Sequence, residues 1–372
     1  MNETPEANSE VLAAVRHEAQ RLLREQIDGE RLEALLDAPG SWDEALWQLV
    51  SEQGWPAVGL TEVDGGAGLG WAGLALLCEE LGRAAAALPL VPTALAATLV
   101  GGNDAAQPQW LAGLREGSIK ACLALPGLRQ GQLHDASAVQ SIDGRLRGQI
   151  SSVAFGAIAD LALVAAEDEQ HCTGLWLVAL PAVEVSREAV TTIDNARGMA
   201  HLRLAGAPAV RVGDGAALAS ALDCAAVLTA FEQIGGAQAC LALAIEYAQQ
   251  REAFGQPIAR FQAIKHKLVE IYGVIEIGRG CALAALDTLG DDGDDPRHQA
   301  AAAARVAASQ AYEQAARDCI NVFGALGLTR EVAPHRHYRR ARSLALELGS
   351  TPLWRERLVE QFLQSNGLSA EV

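Results

Sequence analysis

The order of helical and extended segments constrains the fold of this 372-residue chain more than any other feature. Residues from about 7 to 118 and from about 213 to 372 carry apolar residues at helical spacing. The spacing of Ile234, Ala237, Leu241, Ile245 and Ala248, for example, predicts a stripe that faces the core. Between the helical blocks, short apolar runs suit strands, and Asp143-Gly144 predicts a hairpin turn. This order does not fit a doubly wound parallel sheet, in which strands and helices alternate.

The same pattern predicts an α+β protein with three domains. A helical domain covers residues 1–118, a β domain covers 119–212, and a second helical domain covers 213–372. Within the first domain, Ser41 precedes acidic residues and is predicted to cap a helix over residues 42–50. Trp71 to Ala86 is predicted to form a long apolar helix, and the acidic run 291–296 is predicted to separate two long helices.

Composition narrows the class of protein. Half of the residues are hydrophobic, which is enough for a large core, and the net charge of −17 argues against binding to nucleic acid or to anionic membranes. No uncharged apolar run is long enough to predict a membrane-spanning helix. The polar N-terminus lacks the plan of a secretory signal, so a cytoplasmic location is predicted. Seven widely spaced cysteines without C-x-x-C favour buried, reduced thiols and predict no metal site.

A search for common catalytic motifs finds only one weak match. The match to G-x-G-x-x-G at residues 68–73 follows a glycine-rich loop, with no βαβ unit around it. The sequence contains no Walker A motif, no H-E-x-x-H and no G-x-S-x-G. A Rossmann site, a P-loop, a zinc protease site and a nucleophile elbow are therefore unsupported.

The most informative stretch is residues 251–262, Arg-Glu-Ala-Phe-Gly-Gln-Pro-Ile-Ala-Arg-Phe-Gln. Its glycine and proline predict a turn between two helices, with Arg251 at the end of the first. An arginine at such a turn can hold a pyrophosphate through paired N–H groups, or it can simply cap the helix.

This stretch resembles the main signature of the acyl-CoA dehydrogenases, which are FAD enzymes. The resemblance covers nearly the whole chain in the right order, with motifs at residues 54–56, 62–66, 79–83, 143–148, 159–160, 323–327, 339–342 and 349. It implies an N-terminal helical domain, a middle β-barrel or sandwich domain, and a C-terminal four-helix bundle that builds a tetramer.

The resemblance also implies an activity and partners. Family members remove the α-proton of an acyl-CoA and transfer the β-hydrogen as hydride to FAD. The product is a trans-2-enoyl-CoA, and an electron-transfer flavoprotein reoxidises the flavin. The expected partners are therefore an acyl-CoA substrate, that flavoprotein, and further subunits in a homotetramer or heterotetramer.

Six residues match positions that contact FAD in the family. Arg251 corresponds to the arginine that reaches the pyrophosphate of a neighbouring subunit's FAD, and Phe254 and Gln262 to residues around the adenine half. Asn321, Gly324 and Ala325 stand where the family usually has a glutamine and two glycines. In the middle domain the family's flavin-contacting segments correspond to residues 123–127 and to Ser152, Val153 and Ala154, so only Ser151 or Ser152 can supply the usual hydroxyl.

The catalytic base does not match at either position that the family uses. The usual glutamate corresponds to Leu348, with Glu347 one residue away, and the alternative position on the first long C-terminal helix corresponds to Ala225. Glu232 lies about two turns after Ala225 on the same helix face, within an apolar segment. Glu347 and Glu232 are the candidate bases, and each can equally be a carboxylate without a catalytic role.

Two functions follow from the resemblance. The chain is either an acyl-CoA dehydrogenase with a relocated base or a catalytically incomplete subunit of a heterotetramer of the steroid or bile-acid side-chain type, in which it completes the FAD site of a paralogue. The basic patch of His335, His337 and the neighbouring arginines 336, 339, 340 and 342 is interpreted as surface charge, or as a contact to a CoA phosphate or a partner subunit.

Overall fold

The computed structural model describes residues 5–103, 108–125, 138–290 and 294–365. The first helical region comprises six helices: α1 (Pro5–Gln26), α2 (Gly29–Leu36), α3 (Glu44–Glu52), α4 (Gly70–Arg83), α5 (Leu90–Gly101) and α6 (Pro108–Glu116). The helices predicted over residues 42–50 and 71–86 correspond to α3 and α4. The predicted cap was wrong, because Asp43 and not Ser41 accepts the N–H of Leu46 at the start of α3.

The middle region is a closed sheet. Its strands are β1 (Ala121–Ala124), β2 (Val139–Ile142), β3 (Arg145–Val153), β4 (Leu161–Glu167), β5 (Thr173–Ala179), β6 (Val185–Ala189) and β7 (Ala200–Asp214). The strand order is β1-β4-β2-β3-β7-β5, and β4 also pairs with β5, so the sheet closes into a barrel, with β6 added beside β7. Asp143 and Gly144 both have positive φ in the β2–β3 turn, as an Asp-Gly hairpin requires.

The C-terminal region is helical again. It comprises α7 (Gly215–Gln250), α8 (Gln262–Thr288), α9 (Asp294–Phe323), α10 (Pro334–Leu344) and α11 (Thr351–Ser365), with a small hairpin of β8 (Glu252–Ala253) and β9 (Gln256–Pro257) between α7 and α8. Of the predicted breaker, residues 291–293 lie outside the described residues, and residues 294–296 belong to the first turn of α9, so that part of the prediction was wrong. These elements confirm the predicted fold class, whereas the domain limits at 118 and 212 stay a prediction.

The central helix is α7. Its buried stripe runs through Ile234, Ala237, Cys240, Ala244 and Ala248. The predicted inclusion of Ile245 was wrong, because one residue of rotation leaves that side chain 38% exposed. By length and composition alone α7 could cross a membrane, but most of its apolar stretch is buried against the rest of the structure. Of the seven cysteines, all free, Cys172 is exposed, contrary to the expectation that they are buried.

Two glycines let α4 and α7 approach closely. A Cβ atom on Gly82 would lie 1.8 Å from the carbonyl oxygen of Glu232, and one on Gly235 would lie 1.8 Å from that of Glu79. The largest cluster of buried hydrophobic side chains spans both helical regions across this crossing. The crossing therefore joins the two helical regions into one core and fixes the position of Glu232.

We expect Gly235→Ala to lower the free energy of unfolding by about 3 kcal/mol, because the added methyl must push two helix backbones apart. Urea titration of the purified chain measures this. The matched control is Gly273→Ala in α8, where an added Cβ meets no atom within 4 Å. That substitution should stabilise the helix by about 0.5–1 kcal/mol. Equal effects of the two variants would contradict the close crossing.

Candidate functional site

A cavity of about 660 Å³ lies where the three regions meet. Its walls come from the start of α5, from β1 and β3, from α7 and from the loop after α10. Most of the lining side chains are apolar, and we call the three charged ones, Arg197, Glu232 and Glu347, the inner end of the cavity. Both candidate bases therefore line the same cavity, together with Leu348 and Ala225, the residues at the family's base positions.

Arg197 organises this inner end. It is 4% exposed and lies in a single 3-10 turn just before β7. Its Nε and Nη2 donate to the two carboxylate oxygens of Glu347 at 2.7 and 2.9 Å, and its Nη1 donates to Glu232 Oε1 at 2.9 Å. The guanidinium also lies over the ring of Phe155, 4.9 Å from its centroid. One side chain thus joins the barrel to α7 and to the loop after α10.

A second arginine lies next to Glu232. Arg340 of α10 donates from Nε to Asp194 and from Nη1 to the carbonyl oxygen of Ala86, and its Nη1 lies 3.5 Å from Glu232 Oε1. Burial raises the pKa of Glu232 above its ordinary value, although both arginines oppose the shift. Burial alone would lower the pKa of Arg197, but Glu232 and Glu347 outweigh it and raise that pKa. The guanidinium of Arg197 therefore stays charged and binds both carboxylates.

The loop that carries Glu347 is held rigidly. Arg305 of α9 donates from Nη2 to the carbonyl oxygens of Leu344 and Glu347, and from Nη1 to Gln233 Oε1 at 2.6 Å. Leu348 and Gly349 follow with φ of 61° and 97°, and the indole of Trp354 donates to the Leu348 carbonyl at 2.9 Å. A left-handed residue turns the chain sharply, so Glu347 and Leu348 both reach the cavity wall.

This arrangement limits what the cavity can do. A general base needs an oxygen within hydrogen-bonding reach of the proton that it removes. Both oxygens of Glu347 accept from Arg197, and Glu232 is buried against two arginines. Among the described residues that line the cavity, these are the two carboxylates, so the cavity as folded presents no unpaired carboxylate.

Neither Arg197 nor Arg305 was identified from the sequence. The signal for Arg197 was weak: a charged pair, Asp194 and Arg197, beside Gly198 and just before a short apolar run. Asp223, two residues before Ala225, is fully buried and forms ion pairs with His298 and Arg357. It does not line the cavity.

On the barrel side, the cavity edge is polar. Ser151 and Ser152 of β3 both line it and are exposed. The backbone N–H of Ser152, which has φ of 55°, donates to His201 Nδ1 at 3.1 Å. Both hydroxyls lie at the cavity edge, and their contact with flavin stays a prediction. Of the other segment compared with the family, Pro126 and Gly127 lie outside the described residues.

The six predicted FAD-contacting residues lie elsewhere, at one end of the C-terminal bundle. Arg251 and Phe254 follow α7, and Gln262 begins α8. Asn321 lies in the last turn of α9, and Gly324 and Ala325 follow that helix. Tyr247, one turn before Arg251, stacks on Phe323 with ring centroids 4.0 Å apart. The stack shows that the ends of α7 and α9 meet. We call this group of six residues the bundle end.

The bundle end is open to solvent. Arg251, Phe254 and Gln262 are exposed, and no described side chain pairs with the Arg251 guanidinium. Phe254 and Gly255 occupy the tip of the β8–β9 hairpin with φ of 53° and 75°. Phenylalanine is strained in that conformation, and Phe254 is also 96% exposed. A strained, exposed aromatic residue beside a free cation is typical of a binding surface rather than of a core.

The bundle end is far from the cavity of the same chain. Glu232 and Arg251 both belong to the α7 segment, and a helix rises about 1.5 Å per residue, so roughly 28 Å separates them along its axis. The structure therefore brings Glu347 and Glu232 together in one place and the six bundle-end residues together in another.

Much of the basic patch is buried, contrary to the prediction that it lies at the surface. His335, His337 and Arg340 are buried. His335 and Arg336 contact Glu33 of α2, and the Tyr312 hydroxyl lies 2.9 Å from His337 Nδ1. Arg336 and Arg339 are half-buried, and of the six residues only Arg342 is exposed as the surface interpretation requires. Burial, with the charges of Arg340 and Arg336, lowers the pKa of His337 to about 3.

Comparison with known families finds two matches. The acyl-CoA dehydrogenase N-terminal domain matches residues 9–118, and the acyl-CoA dehydrogenase C-terminal domain matches residues 213–363. Acyl-CoA dehydrogenase IpdE2 of Mycobacterium tuberculosis is 33% identical over 318 residues, which cover 85% of this chain and 86% of that protein.

Solved structures of the same fold superpose on this chain. A variant of the Tcur3481-Tcur3483 steroid ACAD superposes with a TM-score of 0.88 at 29% identity, covering 97% of this chain and 99% of that one. The ChsE4-ChsE5 complex from Mycobacterium tuberculosis gives a TM-score of 0.85 at 25% identity, covering 97% of this chain and 98% of the compared chain.

We expect Arg197→Met to lower the free energy of unfolding by about 3 kcal/mol, because it leaves the buried Glu232 with only the more distant Arg340 and removes the partner of the half-buried Glu347. Urea titration measures this. Adding Glu347→Gln to Arg197→Met removes one of the uncompensated charges and should restore part of the loss. A loss below about 1 kcal/mol for the single variant would show that Arg197 is not the organising contact.

His337 gives a prediction for pH. Its folded pKa of about 3 lies below the ordinary value of 6.5, so the stability it contributes is complete above pH 6.5 and is lost as the pH falls toward 3. Between pH 7 and pH 5 the loss should be about 2 kcal/mol. The free energy of unfolding of the chain should therefore fall by that much relative to His337→Asn. Parallel pH profiles would contradict the buried neutral imidazole.

Proposed function

The chain belongs to the acyl-CoA dehydrogenase family, whose members are FAD-dependent oxidoreductases acting on acyl-CoA, and we propose that it is the supporting subunit of a heterotetrameric member. The assembly converts an acyl-CoA to a trans-2-enoyl-CoA and passes the electrons to an electron-transfer flavoprotein. The main support for this proposal is a contrast between the two sites. In the cavity, both carboxylates form ion pairs with Arg197, whereas no described side chain pairs with the guanidinium of Arg251 at the bundle end.

The reaction itself explains why this contrast matters. The α-carbon of a thioester is a weak acid, so its proton leaves only to a carboxylate that is close, free and basic. Pairing with a guanidinium stabilises the charged carboxylate and uses its lone pairs, which makes it a poorer base. Leu348 and Ala225 supply no carboxylate at the family's two base positions. The paralogous subunit therefore supplies the base.

The bundle end fits the phosphate and adenosine half of FAD. Arg251 offers N–H groups to a pyrophosphate, Phe254 offers an aromatic face, and Gln262 and Asn321 offer amides. When bound, FAD accepts the hydride that leaves the substrate's β-carbon. The separation of roughly 28 Å from the chain's own cavity favours a cofactor held across a subunit interface, with the flavin ring in the partner's cavity.

The class of substrate is proposed from the relatives. The compared structures include a steroid ACAD and the two-component ChsE4-ChsE5 complex. We therefore assign the assembly to steroid degradation by β-oxidation of a side chain, in the cytoplasm. The mostly apolar lining of the cavity in this chain is compatible with such a bulky acyl group, although both of its carboxylates are paired with Arg197.

One observation favours the second candidate, an enzyme that uses its own cavity. Glu347 and Glu232 do line that cavity, and Ser151 and Ser152 lie at its edge. If Arg197 released Glu347 when substrate bound, Glu347 would be the base. The two candidates predict different effects on kcat when the Glu347 carboxylate is removed.

We expect Arg251→Ala to reduce the flavin content of the assembly by at least about tenfold at limiting FAD, since a bidentate contact to phosphate is lost. The absorbance ratio of flavin to protein after gel filtration measures this. Arg21→Ala, in an exposed arginine of α1, is the matched control and should keep full occupancy. Full occupancy in Arg251→Ala would rule out its assigned role.

We expect Glu347→Gln to leave the kcat of the saturated assembly within about twofold of the unsubstituted assembly, because the supporting subunit does no proton transfer. Steady-state rates with an acyl-CoA and an artificial electron acceptor measure this. Glu232→Gln tests the other carboxylate in the same way. A loss of several orders of magnitude in either variant would identify that residue as the base and favour the second candidate.

A further inference from the structure

A buried carboxylate contacts the bundle end from inside the helical bundle. Asp318 of α9 is 5% exposed and precedes Asn321 by one helical turn. Its Oδ1 accepts from Nδ2 of Asn321 at 3.3 Å and from Nζ of Lys267 in α8 at 3.2 Å. The Arg317 Nε lies 3.6 Å from the same oxygen. Asp318 therefore connects the side chain of Asn321 to the neighbouring helix.

This contact fixes which way the Asn321 amide faces. An ionised carboxylate only accepts hydrogen bonds, and Lys267 beside it only donates. The amide must therefore turn its NH₂ toward Asp318, which leaves the carbonyl oxygen Oδ1 on the opposite side. Asn321 is exposed, and no described residue donates to that oxygen. The bundle end thus presents an oriented acceptor at Asn321, together with the cation of Arg251.

We propose that Asp318 is a positioning residue: it turns the carbonyl oxygen of Asn321 outward to accept a hydrogen bond from the adenosine half of the FAD in the partner's site. This inference rests on the proposed function. Adenosine carries suitable donors, its exocyclic amine and its ribose hydroxyls, whereas phosphate oxygens are acceptors at neutral pH and are served by Arg251. The two residues therefore recognise opposite kinds of group.

The surroundings keep the acceptor in place. The Tyr247–Phe323 stack holds the end of α9 against α7, and the Lys267–Asp318 contact holds it against α8. The Arg251 N–H also donates to the Tyr247 carbonyl at 2.8 Å, which ties the arginine's backbone to the same stack. A group held this way loses little conformational freedom when a ligand binds. Asparagine is one methylene group shorter than the family's usual glutamine. Its carbonyl oxygen therefore reaches the ligand only when it faces outward.

The test measures FAD binding to the heterotetramer after its own flavin has been removed. Flavin fluorescence reports the binding. Three probes are used: FAD, the analogue with hypoxanthine in place of adenine, and the 2′,3′-dideoxyadenosine analogue. The first analogue lacks the amine and the second lacks both ribose hydroxyls. We expect one of them to bind about 5–10-fold more weakly than FAD, which identifies the donor. Equal Kd values for all three probes would overturn the proposal.

Asp318→Leu should abolish this discrimination, because the Asn321 amide is then free to turn, and should weaken FAD itself by about 5–10-fold. Asp318→Asn keeps an acceptor oxygen and should retain most of the discrimination. Lys267→Met is the matched control: it removes the ion pair but leaves the acceptor, so thermal stability falls while the ratio of Kd values stays. Unchanged discrimination in Asp318→Leu would overturn the proposal. If Arg251→Ala also leaves FAD binding unchanged, the proposed function fails as well.

Discussion

The buried ion pairs of Arg197 with Glu347 and Glu232 are the interaction on which the arrangement of the cavity depends. The guanidinium belongs to the barrel, one carboxylate to the central helix and the other to the loop after α10. Breaking such a set leaves charges in a region where water cannot replace their partners, so the three elements are held in one geometry. The same contact that fixes the cavity also occupies the carboxylates that could act as a base there.

The chain therefore has two sites with opposite character. In the cavity, both carboxylates are paired with Arg197, and Leu348 occupies the position of a base. At the bundle end, charge is unpaired, an aromatic ring is exposed, and the backbone is strained at Phe254. Roughly 28 Å of helix separates them, so a cofactor that used both kinds of residue would have to use two different chains. A subunit that has lost its own chemistry but still completes a neighbour's site would keep these features.

Local patterns allowed much of the fold to be predicted. The helical spacing of the first and last thirds, and the Asp143-Gly144 turn, depend only on neighbouring residues, and both are present in the structure. The family motif around Arg251 also indicated a turn at the end of a long helix. Errors arose where a small rotation matters: Ile245 lies one residue away from the buried stripe of α7, and Asp43 caps α3 in place of Ser41.

The inner end of the cavity could not be predicted, because its partners are distant in sequence. Arg197 is 35 residues from Glu232 and 150 residues from Glu347, and no local pattern relates them. The same reason explains His335 and His337, whose charged neighbours suggested a surface patch. Their contacts come from α2 and α9, which cover them. Glu347 and Glu232, the candidate bases named from the sequence, line one cavity, and their role as bases stays a prediction; their shared partner Arg197 required the structure.

The visible absorption spectrum tests the central claim most directly, with the chain purified alone and then co-purified with a paralogue from the same genome. The account predicts that the chain alone is folded, by circular dichroism, but colourless. It also predicts that the assembly carries flavin on only about half of its subunits, as expected if each FAD site takes its base from one chain and its Arg251 contact from the other. Stoichiometric flavin bands from the chain alone would contradict the account and would mean that its own cavity holds the cofactor.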